Sequence, residues 1–318
     1  MTQAVTVSSG ARLHLGFLDL NFGLGRRFGS LGLALDAPVT RVALKRAART
    51  QVAGPEAARA GRYLDLVMAA CGLRDAHALT IEAAMPAHAG LGSGTQLALA
   101  VATAVRRLHG LPPDLRADAA RLGRGARSGI GVGLFAAGGL VLDGGRGARD
   151  APPPLLARLD VPEDWRVLLL LDPARDGLSG EAERDAFAAL PPMAEATVAT
   201  SCRLVLMQAL PAVAEADLPA FGDAITRLQR AVGDHFAPAQ GGRITSPRVA
   251  AALDRLGGWG AVGLGQSSWG PTGFAFAPDP EAAHWLRDRL AAFPDAPAAM
   301  VVRPRNRGAD IGMSADPH

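Results

Sequence analysis

Apolar and polar positions along this chain follow two periods, one near two residues and one near 3.6, and the points where the period changes mark out the elements. As far as residue 46 the period of two dominates. Residues 4–8 and 12–18 read as strands, the second running Arg12-Leu13-His14-Leu15-Gly16-Phe17, and Ser30–Asp36 and Thr40–Arg46 read as two more, joined through Ala37-Pro38. Between them lies a loop, residues 18–30, rich in glycine and carrying Asp19, Asn21, Arg26 and Arg27. A helical period takes over at Pro55–Ala70 and stops before Gly72, and a strand at Ala78–Ala83 leads into Pro86. Leu97, Val101, Ala104, Val105 and Leu108 then recur at helical spacing behind the turn Gly90-Leu91-Gly92-Ser93-Gly94. That helix is expected to start at Ser93 or Thr95 and to close on Arg106, Arg107 and Gly110, residue types suited to caps at each end.

Beyond it, Pro112–Leu122 reads as helix, Arg127–Gly131 as a turn and Gly139–Asp143 as a strand. The proline run within 151–155 marks a passage between domains, giving an N-terminal domain over 1–155 and a C-terminal one over 156–318. In the second, Trp165–Leu171 is a continuous apolar run of strand length, and the pattern from Ser179 to Phe236 is helical with breaks at prolines. Ser246-Pro247 opens a helix that Gly257 ends. Strands at Gly260–Leu264 and Thr272–Ala277 flank the turn 266–271, followed by helix Pro280–Ala291 and strand Ala298–Val302. This order predicts an α+β sandwich. Residues 303–318 are expected to form a mobile tail whose Arg303, Arg305 and Arg307 could fold over an anionic ligand.

Composition narrows the classes. With 49% hydrophobic and 20% charged residues over 318 positions, the chain has the make-up of a folded protein rather than a disordered one. No apolar run is read as membrane-spanning, and the N-terminus lacks the build of a signal peptide, so a cytoplasmic protein without a membrane partner is expected. Cys71 and Cys202 lie far apart in apolar surroundings, as free thiols do. The net charge of +3 comes almost wholly from arginine, Lys45 being the one lysine; without basic blocks and interleaved aromatics it does not point to nucleic acid. A lone lysine in a strand also argues against Schiff-base chemistry.

The chemistry gathers at the turn before the long helix. Glycines let its backbone approach a ligand, and the unpaired amides at a helix N-terminus attract an anion, so Gly90, Leu91, Gly92, Ser93, Gly94 and Thr95 form a candidate phosphate cradle. No Gly-Lys-Ser/Thr follows the turn, and its glycines do not fit G-x-G-x-x-G.

Three stretches together carry a resemblance: the loop after the second strand, PAHAGLGSGTQ, and GQSSWGPTGFAF. They resemble the GHMP superfamily of galacto-, homoserine, mevalonate and phosphomevalonate kinases. The resemblance implies an N-terminal domain like domain 2 of ribosomal protein S5, a ferredoxin-like C-terminal α/β sandwich, and a site between them. Two departures stand out. Where those kinases follow a mid-chain glycine-serine-glycine segment with a catalytic aspartate, Ser128-Gly129-Ile130 is followed here by Gly131. Where they place glycines before Pro-Thr, this chain has Gln266-Ser267-Ser268-Trp269-Gly270.

The segments ARLHLGFLDLNFGLGRRFGSLGLAL, GLGSGTQLALAV and GRGARSGIGVGLFAAGGLVLDGG look like a non-kinase branch of the superfamily, the β-ribofuranosylaminobenzene 5′-phosphate synthases of methanopterin biosynthesis. That resemblance implies a decarboxylating condensation of phosphoribosyl diphosphate with 4-aminobenzoate or 4-hydroxybenzoate. It also implies magnesium accompanying the diphosphate, small-molecule partners only, and a homodimer. Asp19 and Arg26 become the candidate catalytic residues. Arg26 and Arg27 suit phosphate recognition, since guanidinium pairs with phosphate bidentately. Asp19 either stabilises positive charge on the sugar or caps the turn at Asn21. Arg12 or Arg127 is expected at the substrate carboxylate, Trp269 as a stacking surface, and Asn21, Ser128, Gln266, Ser267 and Ser268 as further substrate contacts. His14, on an alternating strand, reads as a satisfied core histidine. Two other readings stay open: an ATP-dependent kinase working without the side-chain base, and a non-catalytic relative that binds a phosphorylated metabolite.

Overall fold

A computed structural model of the protein describes residues 3–148, 151–175, 177 and 180–315. The expected short strands of the N-terminal region fuse in pairs. Strands β1 (Gln3–Asp19) and β2 (Phe28–Arg46) form one long antiparallel hairpin whose register shifts between Gly10 and Arg12 and again between His14 and Gly16. These bulges change the side-chain alternation without ending the strand, which is why the pattern read as separate pieces.

After β3 (Gln51–Ala53) come α1 (Ala57–Ala70), β4 (His77–Ala83), α2 (Ser93–Leu108), α3 (Leu115–Arg121), α4 (Ile130–Ala137), β5 (Leu140–Asp143) and β6 (Leu155–Leu159). Then follow β7 (Arg166–Leu171), α5 (Gly180–Ala189), α6 (Glu195–Leu204), α7 (Leu210–Ala214), α8 (Leu218–Gln240) and α9 (Pro247–Gly258). β8 (Val262–Gln266), β9 (Gly273–Ala277), α10 (Pro280–Ala291), β10 (Ala298–Val302) and β11 (Asp310–Ala315) complete the chain.

The strands form two sheets. The first has the order β11-β1-β2-β4-β3, with β5 adding to β2 along Ser30–Leu33 and β6 to β5. The second runs β10-β7-β9-β8. Two sequence expectations change here. Strand β6, which starts at the expected boundary of 155, pairs with β5 in the first sheet, and β11 joins the same sheet, so that sheet draws on both expected domains. Residues 310–315 are no free tail: β11 pairs with β1. Arg303 is held by Asp36 and Arg305 by Asp310, so neither is folded over a cleft.

Packing explains the layers. Val5, Val42, Leu44 and Leu79 of the first sheet bury against Leu64 and Val67 of α1 and Leu97 and Val101 of α2. In the second sheet, Leu168, Leu170 and Ala275 pack on Val249 and Leu256 of α9 and Leu286 of α10, and Leu169, Phe274 and Phe276 face Phe221 and Ile225 of α8. Helix α8 also packs on β1, where the Gln229 Nε2 donates to the Leu15 carbonyl at 2.8 Å. One continuous core therefore runs from Leu13 and Leu15 to Phe274 and Trp269 and holds both sheets around their common boundary.

Residues 195–214 form one helical run, with a π turn at Val205–Ala209, long and apolar enough by composition to cross a membrane, with mean hydropathy 1.3. The sequence reading had no such run. Leu204, Val205, Ala209, Ala212 and Val213 are buried in the protein's own core, while Leu206 and Met207 are exposed.

Candidate active site at the boundary of the two sheets

A cleft of about 1150 Å³ opens where β1, the start of α2, the segments 123–128 and 146–148, α5 and α8 meet. Arg12, Arg27, Arg124, Arg127 and Arg146 line it, and Glu183 is the one carboxylate among its described lining residues. The opposite wall is apolar, built from Phe17, Phe28, Phe187, Leu190 and Pro191.

The glycine turn sits against this cleft and is tightly held. Gly92 is the N-cap of α2 at φ 79°, a conformation that favours glycine, and its carbonyl accepts from the amides of Thr95 and Gln96. The Arg12 amide donates to the Leu91 carbonyl at 3.0 Å, and the Arg12 Nη1 and Ser267 Oγ both donate to the Gly90 carbonyl, at 3.3 and 2.7 Å. Of the six expected cradle residues, Thr95 reaches the cleft lining, while Leu91 is buried. Arg12 lies over Gly92 and Arg124 over Gly94, so two guanidinium groups lie against the turn.

The fate of the other expected residues is mixed. Arg27, Arg127, Ser128 and Ser268 line the cleft with Arg12. Arg26 does not: its Nε and Nη2 donate to the carbonyls of Gly144 and Gly145, clamping that turn. Asp19 is also off the lining. Its Oδ1 accepts from the amides of Asn21 and Phe22 at 2.7 and 3.1 Å, the turn-capping alternative. Asn21 donates to the Met193 carbonyl. Gln266 accepts from the Thr245 amide and donates to the Ser268 carbonyl. Ser267 is buried and also accepts from the His14 amide. Trp269 offers no face to a ligand: it is 1% exposed and stacked on Phe236 at 4.2 Å.

At the position of the missing kinase aspartate, a Cβ added to Gly131 would lie 3.0 Å from the Thr95 methyl. The Gln96 Nε2 donates to the Gly131 carbonyl, closing that spot from the other side. The nearest acid in the turn, Asp143, is buried and accepts from the Gly129 and Gly145 amides and the Ser128 hydroxyl. Burial raises its pKa against the pull of those hydrogen bonds.

Several buried polar atoms around the cleft lack a protein partner: Nε of Arg12, Nε of Arg124 and Nε2 of His14. Burial brings the Arg12 pKa down to about 10, with Glu183 opposing, so the group stays charged at neutral pH. Burial, then the Arg12 charge, holds His14 well below its ordinary 6.5, so its imidazole is neutral. His14 lies on the cleft lining with its Nε2 buried and without a protein partner, so it is not the satisfied core histidine that the strand pattern suggested.

Sequence reasoning missed Arg124, Arg146, Glu183, Phe187 and His235, all on the lining. Arg124 and Arg146 each stand between glycines, and that was the available signal; Glu183 and His235 lie on helices whose pattern carries none.

The two sheets, the glycine-opened helix and the cleft between them define an enzyme fold of the GHMP kinase type. Residues 57–139 match the GHMP kinases N-terminal domain and residues 209–296 the GHMP kinases C-terminal family. Homoserine kinase from Cytophaga hutchinsonii superposes with a TM-score of 0.64 at 17% identity, covering 97% of each chain. Mevalonate diphosphate decarboxylase from Staphylococcus aureus does so at 0.63 and 13%, covering 98% of each. More specific are two relatives named beta-ribofuranosylphenol 5′-phosphate synthase. That of Archaeoglobus fulgidus is 36% identical over 95% of this chain and 97% of its own, and that of Methanothermobacter thermautotrophicus 32% over 85% and 88%. The chain belongs to this synthase family.

Proposed function

We propose that the protein transfers the phosphoribosyl group of phosphoribosyl diphosphate to 4-aminobenzoate or 4-hydroxybenzoate with loss of carbon dioxide, as a step of tetrahydromethanopterin biosynthesis. The reaction is a pentosyl transfer that yields a C-riboside 5′-phosphate. The observation that carries this reading is the charge of the cleft: among its described lining residues, five arginines stand against one carboxylate, facing an apolar wall. A substrate with a phosphate at one end and a diphosphate at the other calls for such a set, because each guanidinium can pair with phosphate oxygens at two points.

The named residues divide the work. Arg12, Arg124 and the amides at the start of α2 suit the departing diphosphate, whose negative charge grows as the bond to the anomeric carbon breaks. Arg27 and Arg146, bridged through their backbones, suit the 5′-phosphate. The aromatic acceptor lies on the wall of Phe17, Phe28 and Phe187. An apolar seat favours decarboxylation, since a tightly clamped carboxylate would be stabilised against leaving. The ring carbon that bears the carboxylate attacks, so no side chain need remove a proton, in keeping with glycine at residue 131.

Magnesium does not fit as a protein-held ion. Among the described residues no three His, Cys, Asp or Glu side chains gather, and the cleft's carboxylate, Glu183, is taken up by Arg127. No step is assigned to it; with a diphosphate substrate it enters as the substrate's counter-ion.

The test is incubation with phosphoribosyl diphosphate, magnesium and carboxyl-labelled acceptor. Release of labelled carbon dioxide supports the reading; no release with either acceptor contradicts it.

A further inference from the structure

Among the described residues lining this arginine-rich cleft, Glu183 is the one acid. Glu183 Oε1 lies 2.5 Å from Nη1 of Arg127, and its charge is felt at buried Arg12. It stands on α5 one turn before Phe187, and the Arg127 guanidinium lies 4.7 Å over that ring. One arginine thus spans from the carboxylate to the aromatic wall. Phe187 packs edge-on against Phe17, Phe28 and Trp269, which fixes the helix that carries Glu183. The Glu183 side chain is 23% exposed, on the boundary between the arginine half of the cleft and its apolar half.

For binding alone this carboxylate is a cost, since it repels phosphates and occupies an arginine. Its charge becomes favourable when the leaving group departs and positive charge builds on the sugar. An interaction that is unfavourable in the ground state and favourable in the transition state raises kcat. Resting on the phosphoribosyl-transfer reading, we infer that Glu183 is a catalytic residue whose carboxylate stabilises the oxocarbenium-like sugar while Arg127 is given over to the incoming anion.

The bonds balance without a proton. The C1–O bond breaks with both electrons passing to diphosphate. The acceptor carbon that bears the carboxylate bonds to C1. The bond to that carboxylate then breaks, its electron pair restoring the aromatic ring as carbon dioxide leaves. Glu183 takes no part in proton transfer and acts by charge alone.

Glu183→Gln keeps the shape and removes the charge. Turnover and phosphoribosyl diphosphate binding, the latter by calorimetry, are measured in parallel for the wild type, Glu183→Gln and Glu183→Asp. The expected result is a fall in kcat of about thirtyfold or more for the glutamine variant, equivalent to about 2 kcal/mol of barrier. Its substrate affinity is expected unchanged or tighter, and the aspartate variant is expected to recover part of kcat. A kcat within twofold of wild type, whatever the affinity does, overturns the proposal and leaves Glu183 as a counter-ion of Arg127. Weakened binding with a proportionate loss of kcat also overturns it, assigning Glu183 to positioning Arg127. If the wild type itself releases neither diphosphate nor carbon dioxide, the phosphoribosyl reading has failed, and the role of Glu183 fails with it.

Discussion

The Ser267 hydroxyl donates a 2.7 Å hydrogen bond to the Gly90 carbonyl, tying the turn between β8 and β9 to the glycine turn before α2. The same oxygen accepts from the buried His14 amide. One hydroxyl therefore joins β1, the glycine turn and the second sheet. Ser267→Ala leaves a buried donor and a part-buried acceptor unpaired, each worth about 1–3 kcal/mol. We expect a loss of about 2–4 kcal/mol in denaturant unfolding together with weaker phosphoribosyl diphosphate binding. Unchanged stability would show that the bond does not form.

Gly92 tests the turn itself. Its φ of 79° makes Gly92→Ala cost about 1–2 kcal/mol through backbone strain. Gly92→Asp adds a carboxylate beside Arg12, whose Nε lies 3.1 Å from the added Cβ. Both variants should unfold at similarly lowered denaturant, and only the aspartate variant should lose phosphoribosyl diphosphate binding by a hundredfold or more. Equal binding by both would remove the anion-cradle assignment.

Arginines at residues 26 and 27 are adjacent in sequence and separate in role. Arg27→Met and Arg124→Met each remove a cleft cation and are expected to weaken substrate binding by about tenfold to a hundredfold, or about 1.4–2.7 kcal/mol. Arg26→Met removes bonds to the Gly144 and Gly145 carbonyls instead, and should lower stability more than affinity. Calorimetric titration of the three folded variants separates the two outcomes.

His14 carries a pH signature. Burial holds its folded-state pKa far below 6.5, so above pH 6.5 the imidazole is neutral in both states and the shift changes nothing. As pH falls below 6.5 the unfolded chain takes up a proton that the native state refuses, and stability drops, by at most about 1.4 kcal/mol per pH unit from this group. In His14→Gln that component is absent, so the stability of the variant should fall less steeply between pH 6.5 and 5. His77, His109 and His235, also held below their ordinary value with burial as the leading cause, keep their share of the slope in both proteins. Identical slopes would show that His14 protonates in the folded state. The same variant should raise the KM for the aromatic acceptor and leave that for phosphoribosyl diphosphate unchanged.

Local pattern carried much of the fold because most elements obey their own periodicity: α10 spans the expected residues, α9 opens on the Ser246 cap and runs one residue past Gly257, and α2 covers its apolar spacing although Gly92, not Ser93 or Thr95, is its N-cap. It failed where the period breaks for tertiary reasons. Bulges at Gly10–Arg12 and His14–Gly16 conceal the length of β1, and α4, with Gly131 and Gly133 inside it, reads as a turn until it packs on β2 and β5. The glycine turn was legible because its chemistry is local. The cleft's opposite half was not: Phe187 and His235 reach it from α5 and α8, and Arg26 and Asp19 are turned away by backbone bonds that no spacing rule foretells.

On the proposed function, this cleft serves departure of diphosphate rather than phosphoryl transfer. Phosphorus NMR of a single mixture holding the protein, magnesium, ATP, phosphoribosyl diphosphate and 4-aminobenzoate or 4-hydroxybenzoate asks the question directly. The account predicts free diphosphate and a new ribosyl 5′-phosphate resonance in equal amounts, with ATP untouched. Conversion of ATP to ADP with phosphoribosyl diphosphate left intact would contradict it.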